Sequence, residues 1–331
     1  DALRQRWLDQ ERQVLEVFGS QLLMPGMISG MALGDLRTFL QETLWTEDAD
    51  ALSGLLSSGG PPDRTVTADQ ELHEVGAGTR PLRTWLAEHG HRAAGEFDLA
   101  APRWREQPEA AQEMADRLAR GEQPLERHRR NAGQVALQVA AIRARLASAD
   151  REELDGRVTQ AQRYVVLRED SKDLLMLGYD LLRDLALEAG WRLGVGQDIF
   201  FLTREQFLES LRTGSVPDGV IERHKATFQA EALLALPSVI DAKAVDSLGK
   251  TPEARPVQGG HKAFAVSSGE ACGPARILRS PTDASDLGRG YVLVCPSTDP
   301  SWTPLFVDAA GLVLECGGTL SHGAVVAREM G

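Results

Sequence analysis

Apolar positions recur every three or four residues through most of the chain up to about residue 245, the spacing of amphipathic helices. The runs LRQRWLDQERQVLEVFGSQLL (3–23), GQVALQVAAIRARLASADREEL (133–154) and RYVVLREDSKDLLMLGYDLLRDLALEAGWRL (163–193) carry it most clearly, with Gly190 as a stop for the last. In DIFFLTREQFLESL (198–211), Thr203 and Gln206 stand in capping-box register and open a further helix. SSGGPPDR (57–64) is a break. GHRAAGEFDLAAPRW (90–104) has no usable period and reads as a long connection of the kind that often carries function.

The period changes after GKTPEARPVQGGHK (249–262), whose Pro, Gly and charge content is that of a linker. KAFAVSS, GPARILRS, GYVLVCPS and AGLVLECGG are short strand-like runs bounded by Gly, Pro and Ser, and SHGAVVAREM (321–330) is a helix capped by Ser321. The expected architecture is multidomain: a mostly α-helical region over 1–250, a linker over 251–262, and a small β/β/α module over 263–331. GKT at 249–251 imitates a phosphate-binding loop, but Ala244 stands where its first Gly is needed and PEARP cannot start the helix that must follow.

Composition narrows the function classes. Of 331 residues, 42% are apolar and 25% charged, and the formal net charge is −12, which disfavours nucleic acid and anionic membrane as partners. RHRR (127–130) is expected to be a solvated helix face, and His73, His128, His224 and His261 to lie at the surface. No uninterrupted run of about 18 apolar residues predicts a membrane span. The charged, helical N-terminus is no signal peptide, and three scattered cysteines fit reduced thiols in a cytoplasmic protein, not a disulfide framework or a metal site. Met24, Met27 and Met31 form a stripe that suits core or an adaptable apolar pocket. The chain starts without Met and stops inside an apparent helix, so a piece of a longer protein is expected.

Candidate chemistry concentrates at the end. A strand runs into Gly317-Gly318, then Thr319 and Ser321 offer hydroxyls, and His322 follows in the first turn of a helix. Helix N-termini leave N–H groups free for an anion and depress the pKa of a nearby imidazole. A neutral, nucleophilic ring beside a phosphate cradle is what a phosphohistidine carrier needs; a capping histidine after a glycine turn is the plainer alternative. Arg168 and Lys172 are neighbours on one helix face, where like charges repel unless an anion lies between them or Glu169 and Asp173 neutralise them. Tyr164 and Tyr179 fall near the same line, whereas Leu167, Leu174 and Leu181 face elsewhere. In the 90–104 connection, His91, Arg92, Glu96 and Asp98 cluster, either as phosphate and proton-transfer groups or as ion pairs that hold the loop.

GGTLSHGAVVAREMG, with GYVLVCPSTDPSWTPLFVDAAGLVLE and SSGEACGPARIL before it, resembles the swivelling phosphohistidine domain of the PEP-utilising enzymes. That family includes phosphoenolpyruvate synthase, pyruvate phosphate dikinase and rifampicin phosphotransferase. Leu320 and Gly323 flank the Ser-His pair as in the rifampicin phosphotransferase branch, and GHRAAGEFDLAAPRW, VLREDSK and GQDIFFLTREQF are similar to segments of that branch too. Ala93, Asp170 and Ser171 depart from its pattern. The resemblance implies that His322 carries a phosphoryl group from ATP to a hydroxyl of a small-molecule acceptor such as a rifamycin. It also implies Arg168 and Lys172 as catalytic partners, and Arg92, Glu96, Gly317, Gly318, Thr319 and Ser321 as substrate- or phosphate-binding residues. ATP and Mg2+ are expected on an ATP-grasp domain in cis that this sequence lacks. A synthase acting on pyruvate, a condensing enzyme of natural-product assembly and a non-catalytic interaction module are the alternatives.

Overall fold

The computed structural model describes residues 2–44, 46, 48–234, 263–267, 270–284, 287–319 and 321–330. The linker 251–262, GKT at 249–251, His261 and Leu320 lie outside the described residues. By compactness the chain divides into one unit of residues 1–15, 98–100 and 178–264, and a larger one of residues 16–97, 101–177 and 265–331.

The first 44 residues are almost entirely helical. Helix α1 (Ala2–Val17) passes through a π-helical turn, Phe18–Leu23, into α2 (Met24–Leu44). A π turn inserts an extra residue into the ladder and commonly marks a functional position. By length and composition alone this helical run is apolar enough to cross a membrane, a test that core helices of soluble proteins also pass. Met24, Met27 and Met31 are exposed, so they are not the core residues the spacing favours.

Within the larger unit, α3 (Ala49–Ser57) follows α2. Helix α4 (Arg64–Gly76) opens with Asp63 accepting from the Val66 N–H at 2.9 Å, and α5 (Leu82–His89) leads into the irregular connection. Helix α6 (Pro108–Leu118) packs on α4, and α7 (Pro124–Arg145) ends where Leu146 turns to extended backbone. The periodic run 133–154 is therefore two helices, because α8 (Ser148–Arg192) restarts three residues later. Leu36, Leu40, Leu56, Val135 and Leu154 form one buried cluster, and Leu72, Trp85, Trp104, Ala115 and Leu118 form another. At such closeness, with side chains interdigitated, each fully buried aliphatic side chain contributes roughly 1.5–3 kcal/mol.

The smaller unit takes the last third of α8, a 3-10 turn at Gly196–Phe201, α9 (Arg204–Thr213) and α10 (Val220–Glu231). The Thr203–Gln206 capping box is present, with Gly214 in the left-handed conformation closing α9. Trp7 stacks on Phe207 at 4.5 Å between ring centres.

The C-terminal module contains a parallel three-stranded sheet of β1 (Ala275–Ile277), β2 (Tyr291–Cys295) and β3 (Ala309–Leu314), in that order. Residues 263–266, expected to lie in a strand, are not in one. A short helix, α11 (Thr303–Phe306), links β2 to β3, and α12 (His322–Met330) follows β3. Alternate residues of β2 are buried on the face that packs Leu278, Trp302, Leu305, Phe306 and Val326.

Candidate functional site

His322 is the first residue of α12. Ser321 precedes it and accepts the Ala324 N–H at 3.4 Å, the cap expected from the sequence. Gly323 permits the next step: a Cβ there would lie 2.6 Å from the Thr298 hydroxyl. That hydroxyl is buried with no hydrogen-bond partner among the described residues, and sequence reasoning did not single it out. Thr303, fully buried, places its Oγ1 3.4 Å from His322 Nε2. Gly317 and Gly318 form the turn out of β3, and Ser321 N donates to Gly318 O at 2.8 Å.

The ring faces charge from the helical part of the same compact unit. Desolvation pulls His322 from the ordinary imidazole value down to about 4, with Lys172 and Arg92 adding to the effect and Glu169 and Asp299 opposing it. At neutral pH the ring is uncharged and one nitrogen keeps its lone pair.

Arg168, Glu169, Lys172 and Asp173 sit on one stretch of α8, and each cation has its own carboxylate. Arg168 pairs with the adjacent Glu169, while Lys172 Nζ lies 2.8 Å from Glu96 and 5.7 Å from the Phe97 ring centre. So Glu96, not Asp173, answers Lys172. Tyr164 is half-buried on α8, whereas Tyr179 belongs to the other compact unit.

The irregular 90–104 connection is firmly held. Trp104 N donates to Arg92 O at 2.9 Å, Arg105 N to Gly90 O at 3.1 Å and Arg103 Nη1 to Glu96 O at 2.9 Å. Arg92 is buried and divides its guanidinium between Glu96, at 3.0 Å from Nη2, and Asp173, at 3.1 Å from Nη1. Asp173 also meets Arg64 Nε at 2.6 Å and His91 Nε2 at 3.3 Å. Burial works against ionising Glu96, but Arg92 and Lys172 outweigh it and hold the carboxyl down to about 2. The same competition, won by His91 and Arg92, keeps Asp173 well below the carboxylate range. These hydrogen bonds make Arg92 a clamp between carboxylates; Asp98, which belongs to the other compact unit, is exposed and accepts from Ala100 N at 2.8 Å.

Two other acids behave oppositely. Asp63 is pushed up to about 7 by burial and by Glu169, and Asp69 to about 7 by burial, partly offset by Arg127. Sequence reasoning missed Asp63, Asp69, Arg64 and Thr303, since nothing in their local pattern shows that they are brought together. The expectation for RHRR also changes: Arg127 and His128 are buried, and His128 Nε2 meets Gly60 O at 2.9 Å. His73 is buried as well, and His224 is half-buried against Phe201 O. These helices pack on more than one side, which a single amphipathic face does not reveal.

Comparison with known proteins follows the same order along the chain. Residues 65–169 match the rifampicin phosphotransferase fourth domain, and residues 287–331 match the mobile domain of PEP-utilising enzymes. A rifampicin phosphotransferase of Streptomyces sviceus is 31% identical over 280 residues, covering 79% of this chain and 32% of its own. Another, from Bacillus subtilis, is 32% identical over 261 residues, covering 75% and 30%. The prodigiosin synthesizing transferase PigC of Serratia marcescens is 41% identical over 83 residues, 25% of this chain and 9% of its own. The chain spans about a third of the length of the rifampicin phosphotransferases it matches. The chain is thus similar to rifampicin phosphotransferases over most of its length, with a segment that matches their fourth domain followed by one that matches the mobile domain of PEP-utilising enzymes.

Proposed function

We propose that this chain is the acceptor-side part of an ATP-dependent phosphotransferase in which His322 carries the phosphoryl group. One observation supports this most: a neutral histidine at a helix N-terminus faces the Arg168–Glu169–Lys172 stretch of α8. On a domain outside these 331 residues, which would also hold Mg2+, the β-phosphorus of ATP bonds to the His322 ring nitrogen as its bond to AMP breaks, and water takes the γ-phosphate, so that AMP and inorganic phosphate leave and one phosphoryl group stays on the histidine. No residue of this chain is assigned to ATP or Mg2+. The phosphoryl group then passes to an acceptor hydroxyl: the N–P bond breaks, the O–P bond forms, and the hydroxyl proton leaves to a nearby base.

Arg168 and Lys172 neutralise the group in transit, because phosphoryl transfer is governed by positioning and charge compensation. The N–H groups of the first turn of α12 and the Ser321 and Thr319 hydroxyls hold it before transfer. The Arg92–Glu96–Asp173 clamp sets the position of Lys172. The acceptor is a bulky hydroxylated molecule of the rifamycin kind, as the relatives' names suggest. The cytoplasm is where ATP is available to such an enzyme. The domain division follows the reading from sequence, a helical acceptor domain over 1–250 and a carrier module over 263–331.

The test uses the full-length protein with β-labelled ATP. His322 becomes labelled, and His322→Ala abolishes the label; a His322→Ala protein that still takes label refutes the carrier role. Arg168→Ala and Lys172→Ala keep His322 labelling but lose transfer to acceptor. Equal loss of both steps would remove them from the acceptor site.

The match to PigC favours a second reading, in which the phosphoryl group activates one partner for condensation. A product that keeps the label supports the kinase reading. Release of β-labelled inorganic phosphate in step with an unphosphorylated product supports condensation.

A further inference from the structure

A second group of ligating side chains gathers outside the His322 site. Glu71 stands on α4, and Glu88 and His89 are the last two residues of α5. Their carboxylate oxygens and ring nitrogen all lie within 4.8 Å of one another. His89 is buried, and its Nε2 lies 2.8 Å from Glu71 Oε2 and 4.0 Å from Glu88 Oε2. A tetrahedral metal with bonds of about 2.0–2.2 Å holds its ligands roughly 3.3–3.6 Å apart, a spacing that falls between those two. The scaffold beneath is packed: Leu72, next to Glu71, and Trp85, one turn before His89, share a buried cluster. The Trp85 ring lies on the His89 ring at 5.5 Å between centres. The three residues open on a cleft of about 460 Å³ that Arg64 and Thr67 also line.

A cation is already drawn to this point. Arg80, between α4 and α5, places Nη2 2.8 Å from Glu88 Oε2 and 3.2 Å from Glu71 Oε2. Its Nε is buried with no hydrogen-bond partner among the described residues, so the guanidinium is incompletely satisfied where it sits. Glu88 is half exposed, and ion pairs of that kind contribute little. A metal bonded to both carboxylates and the imidazole gains more than the guanidinium loses. We infer that Glu71, Glu88 and His89 form a site for a divalent transition metal of the Zn2+ kind, for which Arg80 competes. Three protein ligands beside a cleft leave the fourth position open, the arrangement of a zinc that binds a further small molecule and not of a closed structural one. The site stands apart from the carrier reading, since none of these four residues is placed in phosphoryl transfer.

The test titrates the full-length protein, stripped of metal by a chelator and kept reduced, with Zn2+ alone. The unmodified protein binds one equivalent more than Glu71→Gln or His89→Gln. Arg80→Gln keeps the three ligands and removes their competitor, so Zn2+ binds at least about threefold more tightly. Co2+ reads the ligand set: the extra equivalent gives the visible bands of a nitrogen and oxygen site, without the sulfur-to-metal charge transfer of a cysteine site. Equal stoichiometry in the unmodified protein and folded ligand variants overturns the site. Unchanged or weaker binding in Arg80→Gln, or a thiolate signal from the extra equivalent, overturns it as well. Those last two readings still decide the matter if Glu71→Gln and His89→Gln do not fold.

Discussion

His322 shows how far a single residue can be tuned by groups distant in sequence. Desolvation is the main reason its pKa is low, and Lys172 and Glu169 act on it with opposite signs. Replacing Lys172 by Gln removes a cation that disfavours the imidazolium, so the pKa of His322 rises. Glu169→Gln removes an anion that favours it, so the pKa falls. Two-dimensional NMR of the imidazole nitrogens across pH 3–8 checks both signs, and a shift in the same direction for both variants would contradict the geometry. The sign carries over to stability. A histidine titrating at about 4 in the folded chain and near 6.5 when unfolded binds fewer protons when folded, so its part of the stability grows as pH rises through that window and is complete above it.

At the scale of elements, close approach of helices decides more than propensity does. Gly76 ends α4 where a Cβ would lie 2.1 Å from Ala115 O on α6. Gly76→Ala gains at most about 1 kcal/mol in helix propensity, but pushing α4 from α6 costs roughly 1–3 kcal/mol. Denaturant titration will show net loss, and a stabilised variant would mean the two helices are not in contact here. Asp63 offers a comparison at the other end of α4. Its carboxylate caps the helix yet is pushed up to about 7 by burial. Asn keeps the acceptor without the charge, so Asp63→Asn holds stability at pH 8, whereas Asp63→Ala loses about 0.5–2 kcal/mol with the cap.

For the whole molecule, the buried charges around Arg92 tie the irregular connection to α8. Removing Arg92 leaves Glu96 and Asp173 short of a partner, and breaking such a buried pair costs about 3–5 kcal/mol. Glu96 is held down to about 2, so its contribution is present above the ordinary carboxylate value and fades as pH falls toward 2. The deficit of Arg92→Ala is therefore largest at neutral pH and narrows on acidification. A deficit independent of pH would mean that lost packing, not charge, is responsible.

Helix spacing in 1–234, the Thr203 and Ser321 caps and the histidine after a glycine turn were legible from the sequence, because each rests on contacts within a few residues. The GGTLSH stretch and the Arg168–Lys172 pair stood out as candidates for the same reason. Other features needed the fold. The break at Leu146, the exposed Met24, Met27 and Met31, the buried His73 and His128, and the coil at 263–266 depend on which faces meet a neighbour, and periodicity shows only that a face exists. The pairing of Lys172 with Glu96, separated by 76 positions, and the raised pKa of Asp63 and Asp69 follow from long-range packing. Local sequence determined most of the helices and marked out the candidate histidine, since spacing within a few residues sets both. Only the tertiary structure decided which charges surround that residue, because burial and Coulomb energy depend on distance in space.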